Sequence, residues 1–350
     1  MSSVADKPPC AICKTPAVTR CSRCKVVHYC SVECQRKDWS SHRIACTPSA
    51  ASPKSATQTS SASTSSSSKQ PALPDPKKVL NVQPVDNEKN AGPSPQRKAA
   101  PLATCTSLKF HYQPSEDGVD ENLVIFFHGL GDKIEPDFVK LAKSLQLPQT
   151  ATCCIQAPTP VPYLEEEGWQ WFPSFNNLTG DLLGPESPER MIQVKQLVRP
   201  ALVKFLKHCV DHCEFSSRKI SLFGFSQGAQ IALDVAAFGG MNLRAVISIA
   251  GYFMEESQNE TPAGTLNTNV LVLQGDKDDL RPVKEAKDKF KYIQRIFGKA
   301  NAEQIIVEGM GHSMPSSEPG WRALMEFFAK TLDSRMTGLE NMTDVFEVKA

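Results

Sequence analysis

The chain has 350 residues, of which 40% are hydrophobic and 22% charged, and a formal net charge of +1. That length exceeds one small core and implies two folded units, or one unit with long tails. The near-neutral charge argues against nucleic acid or a charged membrane surface as an obligatory partner. No apolar run reaches the roughly 18 residues of a membrane span, and the opening MSSVADKPPC lacks the apolar stretch of a signal peptide. The expected location is the cytoplasm, with the nucleus as the alternative. In such reducing compartments the twelve cysteines are not expected to form disulfides.

Seven of those cysteines lie between Cys10 and Cys46, in the order Cys10-x2-Cys13, Cys21-x2-Cys24, Cys30-x3-Cys34 and His42-x3-Cys46. A structural zinc takes four N or S ligands, and close pairs of ligands wrap one ion well. Four pairs therefore predict two zinc ions. So short a segment has almost no apolar core, and zinc coordination must supply most of its folding energy.

The ligand spacing, the run His28-Tyr29-Cys30-Ser31, Cys34-Gln35 and Trp39 together resemble the MYND-type zinc finger over residues 10–46. The resemblance implies interleaved sites, with Cys10, Cys13, Cys30 and Cys34 on one ion and Cys21, Cys24, His42 and Cys46 on the other. His28 falls outside both sets. The resemblance also implies a proline-containing protein as partner. Residues 1–46 hold eight Lys/Arg and three Asp/Glu, but zinc-bound thiolates cancel most of that excess, so nucleic acid is not favoured.

Residues 47–106 are rich in Ser, Ala, Pro, Thr and Lys, contain the run Ser65-Ser66-Ser67-Ser68 and have no aromatic residue. Such a segment buries too little apolar surface to offset its conformational entropy. It is read as a disordered linker whose ends lie roughly 40–45 Å apart on average.

Apolar strand-like runs begin near Leu108: Leu123 to Phe127, Thr152 to Gln156, Lys219 to Phe223, Ala245 to Ile249, Val270 to Gln274 and Gln304 to Val307. Helix-like stretches separate them: Pro136 to Leu147, Pro188 to Cys213, Gln227 to Ala237, Val283 to Phe297 and Pro319 to Leu332. This alternation predicts an α/β domain over 107–333 with a mostly parallel central sheet. Pro200 kinks its helix or delays its start. Residues 334–350 carry no clear period and are read as a tail.

Gly224-Phe225-Ser226-Gln227-Gly228 matches G-x-S-x-G between a strand and a helix. The small glycines permit the sharp turn that exposes a nucleophilic Oγ, and a serine needs a base to take its proton. In the α/β-hydrolase order the acid and then the histidine follow. His312, in Gly311-His312-Ser313, is the candidate base. Three acids, Asp276, Asp278 and Asp279, compete behind Gly275. Hydrolases of this fold commonly show G-x-x-D followed by a short turn with proline; Gly275-x-x-Asp278 with Pro282 downstream resembles that register, and Asp278 is chosen. Two backbone N–H groups must meet the tetrahedral oxygen; Gln227 supplies one, and Leu130 in His128-Gly129-Leu130-Gly131-Asp132 is chosen for the other. His128 precedes the nucleophile and is read as fixing that loop.

These motifs, with Trp171-Phe172 and Gly309-Met310-Gly311-His312-Ser313, resemble the acyl-protein thioesterase, carboxylesterase and lysophospholipase family over residues 108–332. That resemblance implies an α/β-hydrolase fold and a serine hydrolase of carboxylic esters or thioesters, the acyl carrier being a lipidated protein, a lipid or a small molecule. No cofactor is expected for hydrolysis. Lys133-Ile134 stands where that family continues with Thr-Gly or Ser-Gly, and Asp279 stands where it has proline. The segment Pro160 to Asn177 is lengthened, with acids at Glu165 to Glu167. The rival reading is a zinc-finger adaptor with an inactive hydrolase unit.

Three further features carry weaker signals. His208, Cys209, His212 and Cys213 look like a metal cluster, but four such neighbours on a straight helix cannot close one tetrahedron. Cys153 and Cys154 read as core. Trp169, Trp171 and Phe172 fit an acyl groove or plain aromatic packing equally well.

Overall fold

Asn122–Phe127, NLVIFF, is buried along its whole length, as a strand covered on both faces must be. In the computed structural model it lies near the middle of a sheet of seven strands. These are β1 (Phe110–Gln113), β2 (Asn122–Phe127), β3 (Thr150–Ile155), β4 (Ile220–Phe225), β5 (Ala245–Ile249), β6 (Asn269–Gly275) and β7 (Ala302–Val307). Their spatial order is β7-β6-β5-β4-β2-β3-β1. All neighbours are parallel except β1, which runs antiparallel to β3.

The structure describes residues 97–335 other than 163, 165 and 263, together with 81–84, 346–349, 8–17, 19–20, 24, 26–31, 34, 37–38 and 42. The chain divides into two units, residues 1–78 and 79–350.

Helices cover both faces of the sheet: α1 (Val139–Ser144), α2 (Pro188–Gln193), α3 (Arg199–Asp211), α4 (Gln227–Phe238), α5 (Val283–Phe297) and α6 (Glu318–Thr331). Alternation along β2 divides the core. Leu123, Ile125 and Phe127 pack with Leu202 and Phe205 of α3, Ile231 of α4 and Ile293 of α5. Val124 and Phe126 pack with Ala142 of α1 and with Leu324 and Phe328 of α6. Period-two side chains feeding two helical layers give the doubly covered parallel sheet expected from the sequence.

Pro200 acts through its missing N–H. The helical run from Pro188 widens over Val194–Val198, and the Arg199 N–H reaches back five residues to Val194 O, before α3 proceeds.

Two features depart from the sequence reading. Strand β1 is a short, half-buried edge element. The linker, assigned by composition up to residue 106, is structured in two places. Asn81–Pro84 pairs antiparallel with Phe346–Lys349 of the segment read as a tail. Residues 97–106 lie on the α/β unit: Lys98 N–H donates to Asp120 Oδ2 at 3.1 Å, Thr106 Oγ1 donates to Ala201 O at 3.2 Å, and Cys105 is buried. Long-range partners, invisible to composition, offset the ordering entropy there. Linker residues 47–80 and 85–96 lie outside the described residues. At the other boundary, Asp333 and Arg335 exchange hydrogen bonds with the side chains of Asn122 and Gln149.

In the N-terminal unit Thr19–Arg20 pairs antiparallel with His28–Tyr29. Among the described residues Cys10, Cys24 and Tyr29 form a buried cluster and Ala17 is also buried, and the Tyr29 hydroxyl donates to Asp38 Oδ2 at 2.8 Å.

Candidate active site

Ser226 sits at the turn from β4 into α4 with φ 51° and ψ −115°, a strained conformation for a side chain other than glycine. Close packing enforces the turn. A Cβ on Gly224 would lie 2.5 Å from Ala229 Cα, and one on Gly228 would lie 2.4 Å from the carbonyl oxygens of Phe127 and His128. The two glycines thus let α4 start hard against the end of β2.

His312 follows β7, and its Nε2 lies 2.8 Å from Ser226 Oγ. Its Nδ1 lies 2.9 Å from Asp278 Oδ2. A carboxylate at Nδ1 fixes the proton there and leaves the Nε2 lone pair facing the serine hydroxyl. The other hydrogen bonds to Asp278 come from the Gln274 side-chain amide at 2.9 Å and from the N–H groups of Leu280 and Arg281, both at 3.0 Å. Burial pushes the Asp278 carboxyl up, but the hydrogen bonds from His312 and Gln274 outweigh it and hold the carboxyl below its ordinary value. Of the competing acids, Asp276 accepts from Gly309 N–H at 2.6 Å and so tethers the histidine loop. Asp279 is exposed.

The backbone N–H groups of Leu130 and Gln227 have no acceptor among the described residues. His128 is fully buried. Its Nδ1 donates to Gly129 O at 2.8 Å, and its Nε2 accepts from Ala157 N–H at 3.0 Å and from the Gln156 amide at 2.8 Å. Burial pushes its pKa down to about 4, so the ring is neutral at pH 7 and holds the loop in one tautomer. The loop is closed by Gly129 N–H donating to Asp132 Oδ2 at 3.0 Å. It is also laced to the next hairpin by Gly131 N–H to Trp169 O at 2.9 Å and Trp169 N–H to Asp132 O at 3.1 Å.

Trp171 is a core residue with no exposed surface, whereas Trp169 lines a cavity of about 410 Å³ with Leu108, Ile134 and Leu197. Cys153 and Cys154 are buried, and burial pushes the Cys154 thiol up to about 12. At the end of α3, Cys209 and Cys213 are buried and His208 Nε2 accepts from Leu102 N–H at 3.2 Å. The residues that the sequence analysis did not single out, Gln274, Gln156 and the Gln227 side chain, are polar positions without a motif; only tertiary contact gives them meaning.

In the N-terminal unit the sulfurs of Cys10, Cys13, Cys30 and Cys34 lie within 4.8 Å of one another. This is the one candidate metal cluster among the described residues. Cys13–Cys30, Cys30–Cys34 and Cys34–Cys13 are 3.2, 3.6 and 3.8 Å apart, close to the edge of about 3.8 Å for a tetrahedron with ~2.3 Å Zn–S bonds. Four sulfur donors at these separations fit one zinc ion. Cys24 Sγ lies 3.5 Å from His42 Nε2; Cys21 and Cys46, expected to complete that set, lie outside the described residues, as do Gln35 and Trp39. His28 lies in the short strand pair, and Ala11 N–H donates to its carbonyl at 2.9 Å.

Comparison with known proteins matches residues 114–332 to the phospholipase/carboxylesterase family and residues 10–46 to the MYND finger. The chain is 38% identical over 173 residues to an uncharacterized hydrolase of Mycosarcoma maydis, covering 46% of this chain and 63% of that protein. It is 25% identical over 217 residues to acyl-protein thioesterase 1 of Kluyveromyces lactis, covering 61% of this chain and 92% of that one. Over 37 residues it is 51% identical to a zinc finger MYND domain-containing protein 10 homolog of Drosophila melanogaster, covering 11% of this chain and 8% of that protein. Among solved structures, esterase PE8 superposes with a TM-score of 0.54 at 25% identity, covering 64% of this chain and 99% of that one.

Proposed function

The chain belongs to the phospholipase/carboxylesterase family and carries a zinc-binding MYND finger, and from that premise we propose that it is a serine hydrolase of carboxylic esters or thioesters. Ser226 Oγ attacks the acyl carbonyl while His312 Nε2 takes its proton. Asp278 holds the imidazole and stabilises its charged form. The N–H groups of Leu130 and Gln227 stabilise the oxyanion, each such donor being worth roughly 10²–10³ in rate. His312 then protonates the leaving alcohol or thiol, and water activated by the same base cleaves the acyl-enzyme.

The observation that carries this reading is the hydrogen-bonded series Ser226, His312, Asp278 at 2.8 and 2.9 Å, built from three segments far apart in sequence. An apolar acyl group is favoured by exposed Leu130, Leu164, Leu178 and Leu182. A Cβ on Gly131, in the oxyanion loop, would lie 4.0 Å from Leu164 Cδ1, which puts Leu164 near that loop. Leu178 and Leu182 ride on the loop closed by Leu183 N–H to Ser174 O and tied to Gln227 through Ser174 Oγ. The finger binds two zinc ions in the interleaved sets given above and docks a proline-containing protein partner.

The test is Ser226→Ala. It abolishes esterase activity and labelling by a fluorophosphonate probe while the folded structure, read by circular dichroism, is retained. Persistent labelling would show that another serine is the nucleophile.

A further inference from the structure

The two oxyanion donors belong to separate segments, the loop after β2 and the first residue of α4. To meet one oxygen at hydrogen-bonding distance they must be held relative to each other within a few tenths of an ångström, since such donors act only when aimed at the developing charge. The segments abut where Gly228 packs against the His128 carbonyl, and the buried Trp171 hydrogen-bonds to both. The Trp171 backbone N–H donates to Gln227 Oε1 at 2.6 Å, and its indole Nε1–H donates to His128 O at 2.9 Å.

The bridge is braced at each end. On the α4 side, the Gln227 amide also donates to Phe172 O at 2.9 Å and Ser174 Oγ at 3.0 Å. On the loop side, His128 is pinned through both ring nitrogens, and its carbonyl lies two residues before Leu130. Trp171 and Gln227 are buried, so water does not compete for these bonds and each is costly to leave unmade.

Building on the hydrolase reading, we infer that Trp171 is a positioning residue that sets the spacing of the Leu130 and Gln227 N–H groups, with the Gln227 side chain as its second anchor. Gln227 then acts twice, its backbone on the substrate oxygen and its side chain on the segment that aligns the opposite donor. The aromatic body of Trp171 also packs against Phe127 and His128. The experiment therefore separates alignment from core packing.

The full chain is compared as wild type, Trp171→Phe, Gln227→Met and the double variant. The readouts are melting temperature, kcat and KM on a nitrophenyl ester, and the inhibition constant of a trifluoromethyl ketone, which forms a tetrahedral oxyanion adduct on the serine. Trp171→Phe keeps an aromatic ring and deletes the indole N–H; Gln227→Met deletes the side-chain anchor and keeps the backbone donor. The expected result is a fall in kcat of about 10–100-fold for each, short of or equal to loss of a donor itself. KM stays within about twofold, and the ketone weakens by the same factor as kcat/KM falls. The double variant is no worse than about threefold below the poorer single, because both changes cut one bridge.

Variants that lose melting temperature while kcat and ketone affinity stay within twofold, or a double variant whose losses multiply, overturn the inference. If Trp171→Phe does not fold, Gln227→Met decides alone by the same criteria. A wild-type chain that neither hydrolyses the ester nor takes up the fluorophosphonate overturns the hydrolase reading and the bridge with it. A wild type that labels, beside variants unchanged in kcat, overturns the bridge only.

Discussion

The two ends of this chain reach a folded state by different means. The hydrolase unit buries two continuous apolar layers on either side of a seven-stranded sheet, and its reactive groups are borrowed from strand ends. Among its described residues the finger buries Cys10, Ala17, Cys24 and Tyr29. A segment of fewer than forty residues has little room for an apolar core, so its order is expected to come from sulfur–metal bonds. One region therefore carries chemistry on a scaffold that is stable without it, while in the other the chemistry is the scaffold.

The largest expected effect probes the scaffolded chemistry. Asp278→Asn should lower kcat by ~10³–10⁴, the size of the loss when a triad histidine loses its orienting carboxylate. The amide presents a donor where His312 Nδ1 also donates and so favours the wrong tautomer. Asp276→Asn should cost less than about tenfold, because Asp276 grips Gly309 N–H rather than the imidazole. Steady-state kinetics of the two variants rank them, and the reverse order would show that the wrong acid orients the base.

Next in size is the separation of the two regions under chelation. A strong zinc chelator should remove two equivalents of metal, measured by atomic emission, and unfold residues 10–46, read by amide NMR. Hydrolysis should change by less than about twofold, because the proposed reaction uses no group from the finger. A single equivalent of zinc would contradict the interleaved sets, and loss of hydrolysis would mean that the two regions are not independent.

What could be read from the sequence follows the same division. The finger's ligands are local, so pair spacing predicted two zinc sites, and the resemblance to the MYND finger implied the grouping of Cys10, Cys13, Cys30 and Cys34, which lie together in the structure. Ser226 and His312 each stand in a short motif, and Asp278 emerged from three acids by its register with Gly275 and Pro282. The structure brings these three within hydrogen-bonding distance. The β-rich runs foretold six of the seven strands, with ends displaced by a residue or two. Strand β1 was no more than an apolar stretch near Leu108, since four half-buried residues give no period. Nor did sequence reveal that Trp171 spans Gln227 and His128, or that Gln274 grips Asp278. Those roles exist only once distant segments meet, and a glutamine or tryptophan in isolation carries no mark of them.

The smallest expected effect concerns acid, and it separates the two regions by whether added metal restores their stability. His128 has a folded-state pKa near 4 because burial disfavours its charged form, against about 6.5 in an unfolded chain. Between those values the unfolded chain binds the proton and the folded one does not, so stability falls as pH drops. The loss begins near pH 6.5, amounts to about 2 kcal/mol by pH 5, and is complete below pH 4 at about 3 kcal/mol. Protonating the ring would also place a donor at Nε2, where the Ala157 N–H and the Gln156 amide already donate. The finger weakens in acid for another reason: its thiolates must lose zinc to gain protons, and added zinc opposes that by mass action. Urea titrations from pH 7 to pH 4, with and without excess zinc, should show the hydrolase transition falling equally in both series and the finger transition recovering with zinc. A hydrolase stability flat across that range would remove His128 as a buried neutral base.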